Sequence, residues 1–364
     1  MDIDTISRTI NDALTAAGLD TKTGPLKGVT ATIDRALASA GLAQFDRPLP
    51  GNPSRAFRAR DPMPPGVSAR ADSTITDIGQ FLSLSHSSGR GSRAYKLYVP
   101  SSYDGDPAPL IVMLHGCKQN PEDFAAGTRM NALAEKDGFL VAYPAQTMRD
   151  NGSNCWNWFD ANQQSREGIE PSLISGIVSD IRKSHAVDSS RIFVAGLSAG
   201  AAMAVILGTT HPEVFAAVGA HSGLPVGVAH DVPSAFAAMG GRAAASTRVS
   251  VGKPAVPTIV FHGDADHTVA MANGNTIVDQ ATQAYADSDT TLHKRPTESP
   301  DDKRFSMTAY EDANGRRRVE QWIVHGGAHA WFGGSPAGSY TDPSGPDAST
   351  EMVRFFLGQA PKTN

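Results

Sequence analysis

Residues 109–114 form an unbroken apolar run, the pattern of a strand covered on both faces. Strand-length apolar runs follow at 138–143, 192–195, 215–220, 258–262 and 319–324, and helical patterns lie at 173–185, from 199 to about 210, and at 349–357. Upstream, Tyr95, Leu97 and Val99 alternate with Lys96 and Tyr98, which predicts a strand over 93–99. Residues 75–81 predict its partner, across a loop at 87–91. Asn314-Gly315, between 305–310 and 318–324, predicts a hairpin. Residues 231–239 read as a helix with Phe and Met on one face, either a lid piece or plain core. Strands alternating with helices build a mostly parallel sheet covered on both faces. Ligands of such a sheet sit at the carboxyl ends of its strands.

The first 72 residues carry a different pattern. Thr9-Ile-Asn-Asp-Ala-Leu-Thr-Ala-Ala-Gly-Leu19 recurs imperfectly as Thr32-Ile-Asp-Arg-Ala-Leu-Ala-Ser-Ala-Gly-Leu42. Apolar residues fall at helical spacing in each copy, Ile6, Ile10 and Leu14 in the first and Val29, Ile33 and Leu37 in the second. Each copy closes on Ala-Gly-Leu, a helix stop. Residues 1–45 are therefore expected as two short amphipathic helices whose apolar stripes dock on something, because helices this short are not stable alone. The stripe packs either on the main domain or a partner subunit, or on a polymer granule or partner protein. Prolines 48, 50, 53, 62, 64 and 65 and five arginines make residues 46–72 an extended linker. Residues 73–361 then form the main domain.

Size and charge narrow the function classes. The chain has 364 residues, 40% of them hydrophobic, enough for one large α/β domain plus an extension. Its net charge is −5 and its basic residues are not clustered, so neither nucleic acid nor an anionic membrane surface is an expected partner. No apolar run reaches the length of a membrane-spanning helix. Met1-Asp-Ile-Asp-Thr-Ile-Ser-Arg8 lacks a basic stretch followed by an apolar one, so no secretory signal is expected and the default compartment is the cytoplasm. On compartment grounds the two cysteines, Cys117 and Cys155, are expected as free thiols.

The candidate chemistry follows the strands. The run from Ile192 to Ala195 enters Gly196-Leu-Ser-Ala-Gly200 and continues as Ala-rich helix. A serine at such a strand–turn–helix apex, Ser198, is held in strained geometry with its hydroxyl above the sheet, and small residues two before and two after let helix and strand pass close. A serine needs an imidazole to take its proton, and the imidazole needs a carboxylate to fix its tautomer. After the strand at 258–262 come Asp264 and Asp266, and after the last strand come His325 and His329. Asp266, farther around its turn, is the expected acid, and Asp264 braces the loop. His329 is the expected base. His325 continues the strand, which makes it a supporting or core residue, while His267 faces solvent or lines the cleft. The oxyanion needs preset backbone donors. The amide of Ala199 is one, and the loop after His115-Gly116 offers that of Cys117. Trp156 and Trp158 either fill the core or line a binding wall. Trp331, two residues beyond His329, is expected to line the cleft.

At these residues the chain resembles the polyhydroxybutyrate depolymerase-like esterases, which include feruloyl and acetylxylan esterases. The likeness runs from about Phe81 to Leu357. It rests on Arg93-Ala-Tyr-Lys-Leu-Tyr-Val-Pro100, Leu114-His-Gly-Cys-Lys-Gln119, Cys155-Trp-Asn-Trp158, Gly196-Leu-Ser-Ala-Gly200, His221-Ser-Gly-Leu-Pro225, His262-Gly-Asp-Ala-Asp266 and Gly327-Ala-His-Ala-Trp331. The resemblance implies an α/β-hydrolase fold and a Ser198, Asp266, His329 triad. It also implies a disulfide between Cys117 and Cys155 beside the oxyanion loop, against the compartment reading. The expected protein is a cofactor-free, metal-free serine esterase. Trp158, Trp331 and Gln119 are candidate substrate contacts. The expected substrate is a hydroxyalkanoate ester or polyhydroxybutyrate oligomer, with feruloyl, aryl or short-chain esters as the alternative. An alternative of another class is a granule-binding scaffold with incidental esterase activity.

Overall fold

The computed structural model describes residues 79–249, 254–297 and 304–359. The chain divides into two units, Met1–Ala71 and Asp72–Asn364. The duplicated segment 1–45 and the linker 46–72 lie outside the described residues.

Ten strands of the second unit form one sheet: β1 (Gln80–Ser88), β2 (Gly91–Val99), β3 (Ala108–Leu114), β4 (Leu140–Pro144), β5 (Val187–Leu197), β6 (Ala217–His221), β7 (Thr258–Gly263), β8 (His293–Thr297), β9 (Phe305–Glu311) and β10 (Arg317–Val324). Their order is β1-β2-β4-β3-β5-β6-β7-β10-β9-β8. The centre from β4 to β10 is parallel, and both margins are antiparallel. Helices α1 (Pro121–Thr128), α2 (Met130–Asp137), α3 (Ile169–Ser184), α4 (Ala199–Thr210), α5 (Val232–Met239), α6 (Ala272–Ala286) and α7 (Ala348–Leu357) fill the crossovers and the end of the chain, and β11 (Trp331–Phe332) pairs with β12 (Thr341–Asp342) outside the sheet.

The period of two sorts the core into layers. On β3, Leu110, Val112 and Leu114 join one buried cluster with Ile174 and Ile177 of α3 and Ile277 of α6. Ile111 and Met113 join the opposite cluster, with Phe124 of α1, Met130 of α2 and Phe355 of α7. The sheet is thus covered on both faces, which is why its central strands read as unbroken apolar runs.

Two elements differ from expectation. Among the described residues the first strand covers Gln80–Ser88, running past the expected end at 81, and its register, from Gln80 against Val99 to Ser88 against Gly91, leaves only Gly89 and Arg90 as the turn; residues 75–78 of the expected strand lie outside the described residues. Helix α5 stands where expected, with Asp231 accepting from the Ser234 amide at its cap, but its buried residues are Ala235 and Ala238. Phe236 is exposed, whereas Met239 is partly buried against the core, so only part of the Phe–Met face is core. The Asn314-Gly315 turn joins β9 to β10 as expected.

The strand order fixes where chemistry can sit. The chain leaves β3 toward β4 on one side and returns to β5 on the other. Crossovers that diverge in this way open a crevice at the carboxyl ends of the two strands. The residues after β3 are His115 to Cys117, and the residue after β5 is Ser198.

Candidate active site

Ser198 occupies φ 56°, ψ −118°, a left-handed backbone that a non-glycine residue adopts only under strain. The neighbourhood forces it. A Cβ on Gly200 would lie 2.0 Å from the Leu114 carbonyl oxygen, and one on Gly196 would lie 2.4 Å from the Gly200 carbonyl carbon. Only glycines let α4 start this close to β5 and to the end of β3. The turn lifts Ser198 into a half-buried position above the sheet.

Asp266 and His329 meet because their loops are laced together. The Asp264 amide donates to the Val324 carbonyl (3.0 Å) and the Ala265 amide to that of Gly327 (3.1 Å). His329 Nδ1 lies 2.7 Å from Asp266 Oδ2, and the other carboxylate oxygen accepts the amides of Thr268 (2.9 Å) and Val269 (2.8 Å). Burial pushes the Asp266 carboxyl up, but the His329 bond and charge and the Val269 amide together hold it below its usual value. Asp266 is therefore an anion that accepts the Nδ1–H hydrogen bond, a tautomer that leaves Nε2 of His329 as the accepting nitrogen. His262 stands beside the same carboxylate, with Nε2 3.6 Å from Oδ2 and 2.8 Å from the Val269 carbonyl. Burial lowers its pKa.

Asp264 and His325 form a second pair at 2.9 Å, and Asp264 also accepts the Gly326 amide at 2.7 Å. This pair is half-exposed, so His325 is not a core residue, and Asp264 braces the two loops. His267 is exposed.

Across the crevice, His115 is fully buried. Its Nε2 accepts the Gln146 amide (3.1 Å), and its Nδ1 lies 2.8 Å from the Gly116 carbonyl. Burial, chiefly, lowers its pKa to about 4, so the ring is neutral. Cys117 and Cys155 are joined by a disulfide, which overturns the free-thiol expectation. Lys118, the next residue, donates its amide to Ser153 (2.8 Å), and Trp156 Nε1 donates to the His115 carbonyl (3.0 Å). The Ser153–Trp158 loop is thus fastened to the loop after β3 by one covalent and two hydrogen bonds. Beneath it Glu170 accepts the Asn157 amide (2.8 Å) and the Gln146 side chain, which also takes a bond from Arg93. Among the described residues, the amides of Cys117 and Ala199 have no acceptor in the protein.

The three expected substrate contacts are placed otherwise. Trp331 is 1% exposed, lies edge-on to Phe124 and donates its indole N–H to Ser349 (3.0 Å). It is core, because β11 pairs with β12 and turns the ring inward. Gln119 is buried, with its carbonyl on the Gly116 amide (2.9 Å) and its amide on Asp123 (2.9 Å) and the Ser339 carbonyl (3.0 Å). Its polar atoms are spent bracing the loop after β3. Trp158 and Trp156 are both buried in the core. One residue was given no role from sequence, although it opens the His221-Ser-Gly-Leu-Pro225 motif. His221 accepts the Ser198 amide on its carbonyl (2.9 Å) and the Phe332 amide on its ring (3.1 Å). Its sequence signals are that motif and a position at the end of an apolar strand.

A family model described as Esterase PHB depolymerase matches residues 93–304, a span that holds the loop after β3, the serine turn and the Asp266 loop. The chain belongs to that family. It is 33% identical over 242 residues to poly(3-hydroxyalkanoate) depolymerase C of Paucimonas lemoignei, covering 64% of this chain and 57% of the relative. It is 29% identical over 264 residues to poly(3-hydroxybutyrate) depolymerase of Ralstonia pickettii, covering 67% and 52%. With feruloyl esterase B of Neurospora crassa it shares 37% over 130 residues, 35% of this chain and 42% of the relative. The chain spans about half the length of the two depolymerases. Among solved structures, the acetyl xylan esterase from Aspergillus awamori superposes with a TM-score of 0.60 at 18% identity, over 73% of this chain and 94% of that one. The likeness gives the fold, which is that of the α/β-hydrolases.

Proposed function

We propose that this chain is a serine esterase that hydrolyses carboxylic esters through an acyl-enzyme, with hydroxyalkanoate esters and polyhydroxybutyrate oligomers as substrates. The observation that carries the reading is the buried Asp266–His329 hydrogen bond of 2.7 Å, set in a loop that follows β10 while strained Ser198 follows β5. In this reading Nε2 of His329 takes the Ser198 proton as Oγ attacks the ester carbonyl carbon. The tetrahedral oxyanion accepts the amides of Cys117 and Ala199. Collapse breaks the ester C–O bond, and His329 returns the proton to the leaving alcohol. Water, deprotonated by the same nitrogen, then attacks the acyl-enzyme and frees the acid and Ser198. Asp266 stays ionised throughout and stabilises the imidazolium.

The substrate class is supported by the names of the two long relatives, both polyester depolymerases. The test is turnover of p-nitrophenyl butyrate, amorphous polyhydroxybutyrate and methyl ferulate by wild type and Ser198→Ala. Loss of butyrate and polymer hydrolysis in the variant is the expected result. Turnover of the ferulate alone would replace the substrate class, and an active Ser198→Ala would sink the mechanism. A polymer granule as partner belongs to the same reading, with residues 1–45 as the docking segment. Deleting residues 1–72 would then abolish granule binding and leave soluble-ester turnover unchanged.

A further inference from the structure

We propose that His221 is a positioning residue that fixes the serine turn against the histidine loop; the proposal rests on the esterase reading of Ser198 and His329. The residue sits at the end of β6, beside β5, with Leu197 opposite it in the ladder. The ladder continues one step past the strand, where the Ser198 amide donates to the His221 carbonyl at 2.9 Å. The ring points into an aromatic box. It stacks on Phe261 (5.7 Å between centroids, 8° between planes) and on Trp331 (5.0 Å, 24°), and it lies against Phe332 at 4.8 Å.

A fully buried imidazole in such a box is costly unless both nitrogens are used. Here both have partners. Nε2 accepts the Phe332 amide at 3.1 Å, which places the proton on Nδ1, 3.3 Å from Ser222 Oγ. Phe332 is three residues after His329. Its neighbours Trp331 and Gly333 send their amides the other way, to Tyr340 and Asp342 (2.7 Å each), so only the Phe332 amide is left for the ring. His221 is thereby bonded to the nucleophile's backbone at one end and to the base's loop at the other. A phenylalanine or leucine would fill the box and strand the Phe332 amide. Burial, above all, keeps this imidazole neutral, and the nearby His262 and His329 act in the same direction against the smaller opposing effect of Asp266. It therefore accepts the amide throughout turnover and adds no second cation beside His329 when that ring is protonated.

The test compares His221→Phe, His221→Gln and His221→Asn on p-nitrophenyl butyrate, beside Ser198→Ala. A glutamine carbonyl reaches about where Nε2 stands, and an asparagine carbonyl falls a bond short. His221→Phe is expected to lose about 100-fold in kcat with KM within about threefold, as for an ångström-scale misplacement of reacting groups. His221→Gln is expected to stay within about fivefold of wild type, and His221→Asn to follow the phenylalanine variant. Near-ultraviolet circular dichroism establishes that each variant is folded. If His221→Phe does not fold, the glutamine–asparagine pair decides. Equal kcat in those two, or a loss confined to KM, overturns the positioning role. An active Ser198→Ala overturns the esterase reading instead, so the two failures are distinguishable.

Discussion

Gly200→Ala isolates how far the serine turn depends on close approach. The added Cβ would stand 2.0 Å from the Leu114 carbonyl oxygen, 2.6 Å from that of His115 and 2.6 Å from the Leu114 carbonyl carbon. All three are backbone atoms at the end of β3, so no side chain can swing away. Ordinary contact between such atoms lies beyond about 3 Å, so the start of α4 and the end of β3 must part by about 1 Å. That displacement carries the Ala199 amide away from the Cys117 amide. A misplacement of this size costs about 100-fold in rate, and overpacking costs about 1–3 kcal/mol of stability. Gly176→Ala is the control for a clash elsewhere in the fold. Its Cβ would meet the His86 ring at 2.2 Å, a clash with a side chain rather than backbone, on α3 and away from the serine turn. Both variants should melt earlier, and only Gly200→Ala should lose kcat/KM on p-nitrophenyl butyrate. Wild-type kcat/KM in Gly200→Ala, or an equal loss in Gly176→Ala, would refute the reasoning.

Three further outcomes are expected. His329→Ala should lower kcat at least about 10⁴-fold, whereas His325→Ala, breaking only a half-exposed pair with Asp264, should cost under about 1 kcal/mol and change kcat less than about threefold; steady-state kinetics separates them. His115, at about 4 when folded against about 6.5 in the unfolded chain, binds its proton more weakly in the native state, so its contribution is whole above pH 6.5 and is lost as pH falls toward 4. Urea unfolding at pH 7, 5.5 and 4.5 should show this decline, of order 3 kcal/mol, and His115→Gln should flatten it. Cys155→Ser opens a covalent loop with a sequence separation of 38; it should lower unfolding free energy by about 3–4 kcal/mol and reduce kcat by loosening the Cys117 amide.

The serine turn was legible because two periods change at one point: an apolar strand gives way to an Ala-rich helix, with a glycine on each side of Ser198. The sheet was legible for the same reason, since burial on both faces leaves unbroken runs such as 109–114. The far half of the first strand was missed because beyond Leu84 it carries only Ser and His, although Leu82, Leu84 and His86 alternate with Ser83, Ser85 and Ser87. Trp331 misled because an aromatic beside a candidate base reads as cleft wall, while its orientation is set by pairing with Thr341, a contact no local pattern encodes. His221 stood out as part of a motif, but its role escaped for the same reason. Its meaning lies in an amide 111 positions away. The cysteines gave two readings, because compartment and resemblance pull in opposite directions and spacing alone does not pair them.

The strand at one margin of the sheet has a consequence for how molecules meet. β8 is His293-Lys-Arg-Pro-Thr297, and among the described residues it is the last strand on that flank. Pro296 has no amide hydrogen to offer, and Lys294 and Arg295 bring two positive charges to the same short segment. A strand from a second molecule approaching there meets a missing donor and two like charges. The flank therefore resists strand-by-strand growth into aggregates, through five residues of its own edge strand.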